Sequence, residues 1–184
     1  MKTFEDYMKS FLEGEVLLKE GLVSEHIYIR EYACKHCGKF PPLEDVPEDL
    51  SEQWFFAIRK VFDAFEDLRE FVGKPIFISS GYRCKEYQKI LTARGYKTAE
   101  VSPHNFGVAL DIIVGDERDN QVAVSFLELY HSDLRIGFQL YNHKFIHIDT
   151  AYLLPIKKFQ ELKILPTLVR GVSLQKYWTK GKRW

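Results

Sequence analysis

The chain has 184 residues, enough for one domain with a full core. Its 26 basic and 26 acidic residues cancel, which argues against a nucleic-acid footprint over the whole chain, and no run of about 18 apolar residues is present to span a membrane. Three cysteines, Cys34, Cys37 and Cys84, are too few and odd in number for a disulfide framework, so the chain is expected to suit a reducing compartment.

The neutral total hides an asymmetry. From Ala151 to Trp184 eight Lys/Arg face one acid, an excess of about +7, and residues 1–150 carry about −7. The opening Met1-Lys2-Thr3-Phe4-Glu5-Asp6 carries acids and does not read as a secretory signal.

Taken in order, Phe4, Tyr7, Met8, Phe11, Leu12 and Val16 recur at helical spacing, which predicts a helix over Phe4 to Leu18 closed by Gly21. An extended piece, His26 to Arg30, leads into Tyr32-Ala33-Cys34-Lys35-His36-Cys37-Gly38-Lys39-Phe40, and Pro41, Pro42 and Pro47 then make a loop. The clearest helix follows. Asp49 is placed to cap it, with Glu52 in a capping-box relation, and Trp54, Ile58, Val61, Phe62, Phe65, Leu68 and Val72 form a core-facing stripe that Gly73 and Pro75 end.

Pro75 to Ser79 reads as a short buried strand, Ser80-Gly81-Tyr82-Arg83 as a turn, and Lys85 to Arg94 as a helix stopped by Gly95. Val108 to Val114 reads as a strand. Asp116 to Tyr130 reads as a helix with Val122, Phe126, Leu129 and Tyr130 inward, and His131 is placed to meet its terminal carbonyls. Leu134 to Leu140 and Lys144 to Ala151 form an antiparallel hairpin through a Tyr-Asn-His turn. From Pro155 onward the tail reads as turns, one short apolar run and a basic-aromatic end, Lys176 to Trp184. That end either touches an anionic surface or lies back on the acidic body. Helices followed by mostly antiparallel strands give an α+β fold, a small sheet with helices packed on it.

Two stretches carry the chemistry. Ser102-Pro103-His104-Asn105-Phe106-Gly107-Val108-Ala109-Leu110-Asp111 sets a histidine and an aspartate seven residues apart, and Phe145-Ile146-His147-Ile148-Asp149 puts His147 and Asp149 on one strand face. If the two strands are neighbours, His104, Asp111 and His147 converge as a three-ligand zinc site with room for a water. Spacing alone equally allows a loop histidine beside ordinary strand residues. Cys34-x-x-Cys37 is half of a zinc knuckle needing further ligands from Cys84, His36 or His26, or else two ordinary cysteines in a tight turn.

The first stretch resembles the Ser-x-His-x-x-Gly-x-Ala-x-Asp signature of the zinc D-Ala-D-Ala carboxypeptidase family. That family includes VanY-type carboxypeptidases and phage L-alanyl-D-glutamate endolysins and shares its fold with the hedgehog signalling domain. His147-Ile148-Asp149 is similar to the family's closing His-x-Asp, Ser80-Gly81-Tyr82-Arg83 to its Ser-Gly-Tyr-Arg, and the Cys34–Gly38 segment to one seen early in many members.

The resemblance spans roughly residues 27–151. It implies a zinc peptidase-like domain there, a helical extension over 1–26 and a basic extension over 152–184. It also implies that His104, Asp111 and His147 ligate Zn2+ and that Arg83 anchors a substrate carboxylate through its planar fork. Asp149 would orient a ligand or a neighbouring loop, or else be a strand-end aspartate making local hydrogen bonds, and Ser102 would either bind substrate or shape its loop. Many relatives carry an acid three residues before the last histidine. Here that position is Lys144, which makes His143 the candidate general base.

The implied function is a metallopeptidase hydrolysing a peptidoglycan-type peptide as a monomer, reaching the cell wall after release, for example by phage lysis. The competing reading is a zinc-holding binding module of the same fold, since fold does not fix function.

Overall fold

A computed structural model describes residues 1–11, 13–96, 98, 101–138 and 144–161. Two short helices, α1 (Phe4–Lys9) and α2 (Gly14–Lys19), precede a ribbon of β1 (Leu22–Ser24) and β2 (Ile27–Tyr28) and a single helical turn, α3 (Ile29–Tyr32). The long helix α4 (Glu48–Val72) leads to β3 (Phe77–Ser80) and α5 (Lys85–Ala93). A 3-10 turn, Pro103–Phe106, delivers the chain to β4 (Ala109–Ile113). Then come α6 (Glu117–Tyr130), β5 (Arg135–Phe138), β6 (Ile146–Asp149) and α7 (Ile156–Glu161). The fold is α+β, as the element pattern predicts.

The four longer strands make one sheet, in the order β3-β4-β6-β5 and antiparallel throughout. Alternation then gives it two unlike faces. Leu110, Ile112, Ile146, Ile148 and Ile136 lie on one face and join a single core with Ile58, Val61, Phe62 and Phe65 of α4. Burying each such side chain contributes about 1.5–3 kcal/mol. On the other face Asp111 stands opposite His147, and Asp149 stands between Ala109 and Arg135. The helix that reads most clearly in the sequence therefore supports the back of the strands whose front carries the site.

Several local expectations are corrected. The predicted first helix is two pieces. The chain turns at Ser10 and Glu13, and a side chain at Gly14 would strike the Met8 carbonyl oxygen at 1.9 Å. Helix α4 starts one residue before Asp49, on the Pro47 carbonyl, with no side-chain cap; Glu48 and Asp49 instead face the helix dipole from its first turn. Strand β3 is a sheet edge whose side chains alternate, so it is not buried throughout: Phe77 is exposed and Ile78 is buried.

Helix α6 is rotated from its predicted face: Val122, Leu129 and Tyr130 are exposed, and Asn120, Ala123, Val124 and Leu127 are buried. Asn120 sets that rotation by accepting the Val114 N–H at 3.2 Å and donating to the Lys144 carbonyl at 3.1 Å. The His131 ring lies 3.1 Å from Asp67 of α4 rather than on its own helix carbonyls. After Pro155 the chain forms α7, and Phe159 packs on Trp54 and Phe106. The end, Lys176 to Trp184, lies outside the described residues.

Candidate metal centre

Two loops are fastened together before any side chain reaches the site. Arg83 N–H donates to the His104 carbonyl at 2.9 Å, and the Asn105 amide donates to the Arg83 carbonyl at 3.0 Å. Ser102 caps the turn, its hydroxyl accepting the His104 N–H at 3.4 Å while Asn105 Oδ1 accepts the Ser102 N–H at 2.9 Å. The hydroxyl is thus engaged in shaping the loop that delivers His104.

Tyr32, fully buried, ties both loops to the body. Its carbonyl accepts the Tyr82 N–H at 2.7 Å, and its hydroxyl donates to the Gly107 carbonyl at 2.9 Å. The chain passes so close to Tyr32 that a side chain at Gly81 would meet its backbone at 2.5 Å. Gly107, at φ +66°, leaves room for the tyrosine hydroxyl and Pro41.

His104, Asp111 and His147 are brought together, all buried, with one ligand atom from each lying within 4.8 Å of the others. Asp111 Oδ1 lies 2.8 Å from His147 Nδ1 and 3.1 Å from His104 Nε2. Donors around a tetrahedral zinc stand about 3.3 Å apart, so a small outward adjustment admits the ion. The decisive detail is at His104. Its Nδ1 pairs with the Gly81 carbonyl at 2.7 Å, which places the ring proton there. Nε2 is buried and has no hydrogen-bond partner among the described residues. An unprotonated imidazole nitrogen aimed at a carboxylate and a second imidazole is unsatisfied without a cation, and two nitrogens with one oxygen suit zinc.

The site's electrostatics separate the two imidazoles. Burial, then the Arg83 charge, pushes His104 down to about 4, with Asp111 offsetting only part. Burial also works against charge on His147, but its hydrogen bonds to the Asp111 and Asp149 carboxylates, with their charges, outweigh it and raise the group to about 9. Asp111 is held well below the usual carboxylate range: burial opposes this, and the two histidines overcome it.

Charged groups continue along the sheet face on both sides. Arg83 donates from one terminal nitrogen to Asp111 Oδ2 at 2.6 Å and from Nε to Ser80 Oγ at 2.8 Å. Asp149, fully buried, lies 3.0 Å from His147 Nε2, and its other oxygen accepts the Ala151 N–H at 3.0 Å. Arg135, buried and in register with Asp149, lies 3.6 Å from it.

The run Arg135, Asp149, His147, Asp111, Arg83 alternates in sign, each carboxylate touching a cation and an imidazole. Sequence reasoning missed Arg135, Tyr32, Ser80 and Asn105. The available signal for Arg135 was a basic residue inside the apolar strand Leu134-Arg135-Ile136, opposite Asp149 once the hairpin is in register. His143 lies outside the described residues. Lys144 is exposed, its carbonyl held by Asn120.

Beside this centre the structure gathers Cys34, Cys37 and Cys84, with their sulfurs within 4.8 Å of one another. Burial would raise Cys34, but backbone N–H groups of Cys84, Cys37 and His36 directed at its sulfur hold it below the ordinary thiol value. Burial pushes Cys84 up to about 12, and the neighbouring cysteines add to the rise. His26 is turned away to Glu66, at 2.8 Å.

A family model described as Peptidase M15 matches residues 31–149, a stretch that contains every group just described from Tyr32 to Asp149. No curated protein matches the chain, and no solved structure does.

Proposed function

Because the chain belongs to the Peptidase M15 family, we propose that it is a zinc-dependent peptidase acting on a peptidoglycan-type peptide, as a D-Ala-D-Ala carboxypeptidase or an L-Ala-D-Glu endopeptidase. The observation that supports this most strongly is the convergence of His104 Nε2, Asp111 Oδ1 and His147 Nδ1, with the His104 nitrogen buried and without a hydrogen-bond partner among the described residues. These three residues would hold the ion. A zinc ion bound there supplies a Lewis acid and acidifies a bound water.

The chain's own groups do the rest. The Gly81 carbonyl fixes the His104 tautomer, and Asp149 holds the far nitrogen of His147. Arg83 spends one terminal nitrogen and Nε on Asp111 and Ser80, and among the described residues its other terminal nitrogen makes no hydrogen bond. In this reading that nitrogen receives a substrate carboxylate, held next to the ligand Asp111.

His143 is proposed as the proton acceptor. The protein would meet its substrate at the cell wall after release by lysis. One observation favours the alternative, a zinc-holding binding module. Among the described residues, the carboxylates touching these imidazoles are Asp111 and Asp149, and both are already engaged in contacts with His104, His147 or the Ala151 N–H.

The test is incubation of wild type, Asp111→Ala, Arg83→Lys and His143→Ala with purified peptidoglycan and with muropeptides, followed by mass spectrometry for new fragments and amines. Cleavage is expected in wild type and none in Asp111→Ala. Arg83→Lys, which loses the fork, is expected to fall roughly a hundredfold, about 3 kcal/mol of transition-state binding. His143→Ala is expected to fall about 10²–10⁴-fold with metal retained. A wild type that holds zinc and releases nothing from either end of the stem peptide would establish the binding module.

A further inference from the structure

We propose that Cys34, Cys37 and Cys84 form a second metal site, a thiolate-bound zinc that is structural and separate from the histidine centre. Three separate observations support it. Segments 50 residues apart bring three free sulfurs to within 4.8 Å of one another, and sulfurs around a tetrahedral zinc stand about 3.8 Å apart.

The turn that carries two of them is built to serve a thiolate. Cys34-Lys35-His36-Cys37-Gly38 folds back so that Gly38 N–H reaches the Cys34 carbonyl at 2.7 Å, with Gly38 at φ +69°. The backbone N–H groups of His36, Cys37 and Cys84 all point at the Cys34 sulfur, that of Cys84 from 3.3 Å. The third sulfur also receives a backbone donor: Cys84 caps α5 and accepts the Tyr87 N–H at 3.4 Å.

A lone disulfide would use two of these sulfurs and leave the third beside it. A soft divalent cation uses all three, and sulfur donors select zinc among the common divalent ions. Cys37 is exposed, so the fourth position falls to solvent or to His36, whose ring stacks over Tyr87 at a centroid distance of 6.4 Å.

The site's place in the fold gives it work. Cys84 directly follows Arg83, and Cys34 lies two residues after Tyr32. An ion there would fasten the 81–84 segment to the 32–38 turn. It would hold in place the Gly81 carbonyl that fixes His104 and the guanidinium that meets Asp111.

The experiment is metal analysis of anaerobically purified full-length protein, with the same protein reconstituted with cobalt(II) for absorption spectroscopy. Two equivalents of zinc per chain are expected in wild type, with a thiolate-to-cobalt charge-transfer band in the near ultraviolet. The His104→Ala/His147→Ala variant should lose one equivalent and keep the band. Cys37→Ala, at the exposed position, should lose the band and one equivalent and keep the other, and Cys84→Ser should do the same. Circular dichroism checks that each variant is folded.

One equivalent in wild type that disappears in the histidine variant, with no charge-transfer band, would overturn the proposal. So would fewer than three titratable thiols in the freshly denatured protein.

Discussion

Leu110 and Asp111 are neighbours on one strand and belong to different worlds. Leu110 faces α4 in a dry core, in register with Ile148, while Asp111 faces the other way, in register with His147, and touches His104 and Arg83 as well. Both are buried, so burial alone does not separate core from site. What separates them is how the buried surface is satisfied, by dispersion contacts on one face and by alternating charges on the other. The polar face carries two arginines and two aspartates across three strands and a loop, a costly arrangement to bury for stability alone.

The sharpest way to break this comparison is to truncate each neighbour. Asp111→Ala should abolish peptide cleavage and metal binding at the histidine centre, a loss of at least about a thousandfold in rate, while the protein still folds. Leu110→Ala should cost about 2–5 kcal/mol in denaturant unfolding and keep zinc affinity and activity below its melting temperature. If both variants lost activity and stability alike, the two faces would not be functionally distinct.

Asp149 extends the comparison along the strand. Asp149→Asn should weaken zinc binding about 10–100-fold in competition with a chelator, because the amide holds the His147 ring less firmly. Binding should also be pH-dependent. His147 holds a proton up to about pH 9 in the metal-free site and must release it to ligate, so affinity should fall about tenfold per unit as pH drops below 9.

The sign is opposite for the metal-free fold. The raised His147 contributes stability that is fully present below about pH 6.5 and is lost as pH rises through about 9. Calorimetry in buffers of different ionisation enthalpy at neutral pH should show about one proton released per zinc; none released would contradict the assignment.

The smallest effect is expected at a residue that only supports the loop carrying His104. Tyr32→Phe removes the hydroxyl from the Gly107 carbonyl and should cost about 1–2 kcal/mol, with zinc stoichiometry unchanged.

These same residues show what was legible in the sequence. The α4 stripe and the antiparallel pairing of β5 with β6 were readable because each is a local pattern, whereas spacing left the His104–Asp111 stretch open and only its resemblance to a family signature singled it out. The face of α6 was misread because Asn120, a polar residue, sets its rotation through hydrogen bonds to Val114, just before the helix, and to Lys144, 24 residues on, while Val122, Leu129 and Tyr130 stay outside. Arg135 was passed over because its meaning depends on a cross-strand register. Tyr32 was passed over because its two bonds reach residues 50 and 75 positions away. Apolar periodicity reports which groups leave water, and these residues are placed by which polar group each must satisfy.

The central claim is that His104, Asp111 and His147 are a metal centre and not a buried hydrogen-bonded cluster. An anomalous-difference map at the zinc edge, from a crystal of protein purified without added metal, tests it most directly. A peak about 2.0–2.2 Å from His104 Nε2, Asp111 Oδ1 and His147 Nδ1 is the predicted result. A map with no peak there after zinc is supplied, with His147 still hydrogen-bonded to Asp111, would contradict it.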